Sequence, residues 1–376
     1  MRLIVPAGAL LIAALSVSLD LFPPSLTSPV CRYGACRFDQ IFAAVDAAGA
    51  GPQAVSVLAS ADPANPLVWC AYAETLSARG EAQQAESAFD HAVSLGPGMA
   101  PVLMRAANYD FTHGRRERGF LLTPRILSET GAFDEILFSY LQHAGVPASA
   151  ILGAAVPATS RPARAWLDWL RANGSDQELR DTWAWMKANR LLDEKSAGEV
   201  AWALWNRGSF GTSYALWTDW LGRSELLANT RFDTEPRETP FDWALDSGPA
   251  VAVTRANGLE VRFAGTENVA FSGVRQFAVL PAGRYRISAE ISSDNLTTDQ
   301  GPLFHIFDPA NPARLNAEGA PILGTVGRSW ITVEFTVTQG TGALAVELER
   351  RPSQNFDNRI AGTLHVYQVS LTHLGR

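Results

Sequence analysis

Asn229-Thr230-Arg231-Phe232-Asp233, with Phe241-Asp242-Trp243 close behind it, is the stretch on which the fold turns. Before it, apolar residues recur every three or four positions, the period of a helix. Beyond it, for about 145 residues, they recur every two, the period of a strand. Leu259, Val261 and Phe263 alternate with Glu260 and Arg262, and Tyr285, Ile287, Ala289 and Ile291 with Arg286, Ser288 and Glu290. Ile331, Val333, Phe335 and Val337 follow the same rule, as do Leu344, Val346 and Leu348. One-sided runs of this kind predict antiparallel sheets with one buried face. Pro281-Ala282-Gly283 and Gly340-Thr341-Gly342 supply turns between them, and several short strands at this spacing imply a β-sandwich.

On the helical side, eight of the eleven tryptophans fall between Trp166 and Trp220, in close pairs: 166/169, 183/185, 202/205 and 217/220. Pairs three apart share a helical face, so helices are their host. Trp183 and Trp185 do not share a face, so one of them should be partly exposed. Asp176 and Ser196 are candidate N-caps, and Gly174 and Gly208 candidate stops. The cluster reads either as the packing layer of a helical-pair solenoid or as an aromatic groove for glycan or peptide.

From Pro66 to Gly98 the residues fall into a helix-turn-helix pattern. Trp69 lies early in the first helix and Gly80 at the turn; Ala85, Phe89 and Ala92 line one face of the second helix, and Pro97 follows its end. This resembles the 34-residue tetratricopeptide repeat. Thirty-four residues on, Gly114 keeps the turn, while Gly119 and Thr123 replace the expected Ala and aromatic. A single repeat cannot bury its own face, so the resemblance implies neighbouring repeats and a protein-binding solenoid.

Met1-Arg2 is followed by an uncharged run from Leu3 to Leu19, closed by Asp20 and Pro23-Pro24. That is the layout of a signal peptide or a signal anchor, short for a membrane span. With Arg2 inside, everything after Asp20 is expected outside the cytoplasm, as in a single-pass bacterial inner-membrane protein facing the periplasm. Cys31 and Cys36 could close a small disulfide loop there, whereas Cys70 reads as a buried apolar residue. A net charge of -7 argues against nucleic acid as a partner. The fold class expected is thus multidomain, α then β. It runs as a membrane segment at residues 1–25, an α-helical repeat domain at 26–225, and a jelly-roll sandwich at 226–376. Within the helical domain, tetratricopeptide-like helices cover about 50–130 and Trp-rich helices 160–222.

The strand-rich part carries further marks: Asn229, Phe232-Asp233, Trp243, Leu280-Pro281-Ala282-Gly283-Arg284-Tyr285, and Ile360-Ala361-Gly362 leading to Val366, Val369 and Leu371. Together these resemble the galactose-binding-like jelly roll of carbohydrate-binding modules. The resemblance implies a glycan ligand and, in many such modules, a calcium ion held by acids of the last strand. Here Val366-Tyr367-Gln368-Val369 stands in that strand, so no metal is expected. Phe307, Arg351, Asn355, Phe356 and Asn358 are the candidate ligand-binding residues. They sit in loops that combine aromatic faces with amides and charge, while Trp243 and Trp330 are candidates for the core.

No catalytic set emerges. Ser293-Asp294-Asn295 echoes one element of the serine β-lactamase set, but neither Lys187 nor Lys195 has Ser three places before it and no lysine follows. The six histidines form no zinc-type spacing, and no phosphate loop or dinucleotide fingerprint occurs. The function expected is a non-catalytic, cofactor-free envelope scaffold. Its helical repeats would contact proteins, its jelly roll a glycan and residues 3–19 the inner membrane, in support of extracellular polysaccharide assembly or export. The alternative is a glycan-acting envelope enzyme with the sandwich as its targeting module.

Overall fold

The computed structural model of the chain describes residues 55, 59, 60, 62–143, 148–356 and 358–375. The expected membrane segment and the Cys31–Cys36 pair lie outside them. Among the described residues no helix is long and apolar enough to cross a membrane. The chain forms two compact units, Met1–Trp169 and Leu170–Arg376.

The first unit is a stack of helix pairs. Helices α1 (Pro66–Ala78) and α2 (Ala82–Leu95) are followed by α3 (Ala100–Thr112), α4 (Arg116–Glu129), α5 (Asp134–His143), the short α6 (Ala148–Ile151) and α7 (Ser160–Asn173), which crosses into the second unit. α1, α3 and α5 begin 34 residues apart, as do α2 and α4, which is the tetratricopeptide period. Ala85, Phe89 and Ala92 are buried with Cys70, Ala73, Val102 and Tyr109 in one apolar cluster. Burial pushes the Cys70 thiol up to about 12, so it packs as a small apolar group. The turns at Gly80 and Gly114 take the same left-handed conformation, φ 78° and 76°. Gly119 replaces alanine because the Phe111 ring occupies the space: an added Cβ would lie 2.7 Å from it. Arg105 bonds Glu74 at 2.6 Å and Arg118 reaches Glu86, so residues about one repeat apart tie neighbouring pairs.

The second unit holds α8 (Asp176–Ala188), α9 (Glu194–Asn206) and α10 (Phe210–Leu221) together with the sandwich. The period returns here: α7 and α9 begin 34 residues apart, and so do α8 and α10. The caps differ by one or more positions from those expected. Ser175 caps α8 in a capping box with Glu178, and Asp193 caps α9, its side chain accepting from the Ser196 N–H. Gly174 and Gly208 do end their helices.

Each tryptophan pair contains a buried and a partly exposed member. Trp166, Trp183, Trp205 and Trp217 are buried, and Trp169, Trp185, Trp202 and Trp220 only partly so. Packing is therefore their main use. Trp205 lies 4.4 Å from Phe277, 5.7 Å from Phe241 and 4.5 Å from Phe210. Trp183 donates its indole N–H to Asp219 at 2.9 Å.

The sandwich has two five-stranded antiparallel sheets. Sheet I orders β1 (Ala244–Leu245), β4 (Phe271–Ala278), β9 (Leu344–Arg350), β6 (Leu303–Phe307) and β7 (Asn316–Glu318). Sheet II orders β2 (Val251–Arg255), β3 (Leu259–Ala264), β10 (Ala361–Gly375), β5 (Gly283–Leu296) and β8 (Gly324–Val337). The alternating residues read from the sequence form one core between them, with Phe232 and Trp243 joining at its edge. Trp330 does not join it; the indole is 53% exposed. The outer face of sheet I carries Phe277, which Trp202 and Trp205 of α9 cover. Among the described residues of the second unit, no helix makes an aromatic contact of this kind on the outer face of sheet II.

Candidate functional site

That uncovered face holds a cleft of about 830 Å³. Its lining comes from four places: Arg231 and Asp233 ahead of β1, Arg255 to Gly258 at the β2–β3 turn, Glu290 and Arg328 on β5 and β8, and Tyr367 with Gln368 on β10. Register explains how they meet. Tyr285, Ile287, Ala289 and Ile291 point into the core, so Glu290 points out. Across the ladder Glu290 pairs with Trp330, which puts the exposed indole on the same face.

The floor is a β-bulge. Val366 faces Ile291 and Gln368 faces Glu290, leaving Tyr367 as an extra residue turned outward. Its hydroxyl hydrogen-bonds Ser292 at 2.9 Å, and the Arg328 guanidinium lies 4.1 Å from its ring centre. Arg328 in turn grips Glu290 with two hydrogen bonds of 2.7 and 2.9 Å. Those bonds hold the Glu290 carboxyl below the usual carboxylate range.

The walls are shaped by unusual backbone. Asn229, Phe232 and Asn257 have φ of 45°, 57° and 54°. Such conformations cost about 1–3 kcal/mol each outside glycine and gather where a site must be held in place. Asn229 clamps its loop shut, donating to the Thr234 carbonyl at 2.9 Å and accepting from the Thr234 N–H at 3.3 Å. Gly258, at φ 115°, lets the β2–β3 turn press on the bulge, since a Cβ there would lie 2.6 Å from the Val366 carbonyl oxygen.

The residues expected from the sequence lie elsewhere in the sandwich. Phe307 stacks on His305, 4.5 Å between ring centres, on the outer face of sheet I. Arg351 joins the same neighbourhood by pairing with Glu318 and Glu349. The structure thus brings Phe307 and Arg351 to one charged patch. Asn355 belongs to a different contact, donating with Ser353 to Asp299. Asn358 contributes its carbonyl to buried Arg350. Phe356 is fully exposed.

His305, Glu347 and Glu349 place potential metal-ligating atoms within 4.8 Å of one another. Spacing along the chain could not reveal this trio, because β6 and β9 assemble it across the ladder. Its atoms are committed to one another and to their neighbours. His305 Nδ1 lies 2.8 Å from Glu349 and Nε2 2.6 Å from Asn316 Oδ1, while Arg275 and Arg351 pair with the two carboxylates. Sequence reasoning also missed Arg231, Asn257, Glu290, Arg328 and Tyr367. One signal for them exists: the step of three between Val366 and Val369 breaks the strand period where the bulge lies.

No protein-family model matches the chain, and no curated protein matches it. Among solved structures, similar ones are tetratricopeptide proteins and carbohydrate-binding modules. YrrB, described as a tetratricopeptide protein with an unusual peptide-binding site, is 12% identical; the match covers 44% of this chain and 90% of that one, with a TM-score of 0.26. Pseudomonas aeruginosa pilF is 14% identical over 49% of this chain and 90% of its own, TM-score 0.26. A family 4 carbohydrate-binding module is 19% identical over 39% of this chain and 99% of its own, TM-score 0.26. The architecture agrees with the resemblance read from the sequence: a helical repeat region, then an antiparallel sandwich.

Proposed function

We propose that the chain is a non-catalytic envelope protein that holds a saccharide on the open sheet of its sandwich and a protein partner on its helical repeats. The observation that carries this reading is the cleft over Tyr367. It is open, polar, built on constrained backbone and flanked by the exposed Trp330 indole. Sugars need that combination: an aromatic plane for their C–H faces, and fixed donors and acceptors for hydroxyls. Asn257, Gln368 and Asp233 supply the latter.

For the protein partner, the first repeat offers a groove of about 400 Å³ beside Trp69, Tyr72 and Leu76. Residues 3–19 would anchor the chain in the inner membrane with its bulk in the periplasm, a setting suited to assembly or export of extracellular polysaccharide. The loop of Arg351, Asn355, Phe356 and Asn358, with Phe307 on β6, the strand paired to β9, is a second contact in this reading. It is favoured by the fully exposed Phe356 ring.

A glycan array probed with the full chain tests the proposal. Binding that Tyr367→Ala abolishes and Phe356→Ala only weakens is the expected result. Binding to no glycan would sink the saccharide half, and turnover of a bound glycan would replace it with an enzyme. Fractionation of cells that make the full chain tests the anchor; recovery in the soluble periplasmic fraction would overturn it.

A further inference from the structure

We infer that the cleft over Tyr367 selects an anionic saccharide, with Arg231 as the group that receives its carboxylate. The inference rests on the saccharide reading above and adds the charge of the ligand.

Three guanidinium groups line the cleft: Arg231, Arg255 and Arg328. Two are engaged. Arg328 spends its fork on Glu290. Arg255 donates to the Thr234 carbonyl at 2.7 Å and pairs with Glu235. Arg231 makes no hydrogen bond or ion pair to any described residue, and it is exposed to the cleft. Its positive charge is felt there, since it helps to lower the Glu290 carboxyl.

Its placement is built rather than incidental. Arg231 sits between Thr230 and Phe232, and both are anchored. The Thr230 carbonyl accepts from the Val369 N–H at 2.8 Å, two residues past Tyr367. Phe232 is buried against Trp243, 5.1 Å between ring centres, with its backbone in the left-handed region. A solvated surface arginine needs no such support. Here a backbone hydrogen bond at Thr230, the buried Phe232 ring and a strained dihedral fix the base of the side chain beside the bulge.

Three guanidinium groups line the cleft against two carboxylates, Asp233 and Glu290. Glu290 is neutralised by Arg328, and Glu235 by Arg255, which leaves Arg231 with Asp233 at the rim. A carboxylate suits a free guanidinium because the planar fork meets both oxygens at once. Asp233 and the amides of Asn257 and Gln368 remain for hydroxyls. The net charge of -7 makes general adsorption of polyanions unfavourable, so retention by an acidic polymer would report this one site.

Affinity electrophoresis of the full chain separates the outcomes. The gels contain polygalacturonate, a neutral glucan, or dextran sulfate, each at low and at physiological ionic strength. Retention by polygalacturonate should exceed that by neutral glucan about tenfold or more, the scale of one charge-assisted hydrogen-bonded pair. Arg231→Ala should abolish the difference, and Arg231→Lys should restore part of it, with melting curves confirming that both variants fold. Equal retention on polygalacturonate and neutral glucan, or an Arg231→Ala variant that binds polygalacturonate as the parent does, would overturn the anionic assignment and leave the saccharide reading standing. Stronger retention by dextran sulfate that Arg231→Ala does not change would also overturn it, as charge adsorption. No retention by any of the three would remove both.

Discussion

Gly198 stands inside α9, where helix propensity alone says that alanine should be better by about 0.8–1.0 kcal/mol. The structure predicts the opposite sign. A Cβ at Gly198 would lie 2.3 Å from the backbone carbonyl oxygen of Glu238, which passes over the helix. That is about 1 Å short of ordinary van der Waals separation, and a carbonyl in a docked segment cannot turn aside as a flexible side chain would. Overpacking of this kind costs about 1–3 kcal/mol, and an obstacle made of backbone belongs in the upper half of that range. After the propensity gain is subtracted, Gly198→Ala should destabilise the second unit by about 1–2 kcal/mol. For a unit of about 200 residues that is a fall in Tm of about 2–8 °C. Gly211 is the matched control. It lies in the first turn of α10 with nothing within 4 Å of its added Cβ, so Gly211→Ala should be neutral or stabilise by up to about 1 kcal/mol. Differential scanning calorimetry of the two variants beside the parent reads the comparison. If Gly198→Ala raised Tm as Gly211→Ala does, the close passage of the Glu238 backbone over α9 would be wrong.

Two further outcomes are expected. Arg350 is 1% exposed, and its fork serves the carbonyls of Gln300, Val269 and Asn358 and the side chain of Asn268. Arg350→Lys cannot span these acceptors and should cost about 2–4 kcal/mol in urea unfolding, while a loss under about 1 kcal/mol would refute the account. Burial holds the Glu347 carboxyl above its usual range, against the pull of Arg275 and with the help of the Glu349 charge. A carboxyl raised in the folded state contributes most below its unfolded pKa, and that contribution is lost as pH rises through the folded value. Glu347→Gln should therefore gain stability relative to the parent between about pH 4 and about pH 7. Melting curves at both values check this, and a difference that does not change with pH would contradict it.

What could be read from the sequence followed from periodicity. Leu259 to Phe263, Tyr285 to Ile291 and Leu344 to Leu348 each fell on the face that their alternation implied, because a half-buried strand must alternate. Ala85, Phe89 and Ala92 were buried for the same reason at helical spacing. Trp330 broke the pattern: it neighbours the alternating run but points to the open face, and its size alone suggested core. The cleft was not legible, because Arg231, Asn257, Glu290, Arg328 and Tyr367 meet only through strand register, which no local pattern encodes. The caps were expected one and three residues too late, at Asp176 and Ser196, because residues within the same turn offer equivalent oxygens and only the backbone angle decides which one turns back.

The bulge at Tyr367 has a consequence for how this fold can diversify. Because Val366 and Gln368 already face consecutive partners on β5, deleting Tyr367 leaves an unbroken ladder with Val366 and Val369 still inward. The ring, its Ser292 bond and the Arg328 stack would all vanish, yet no core contact would. The aromatic floor of this face is thus set by chain length: it exists only while the extra residue stands in β10. One codon fewer would remove the floor of the cleft while leaving the inward residues of β10 opposite their partners on β5.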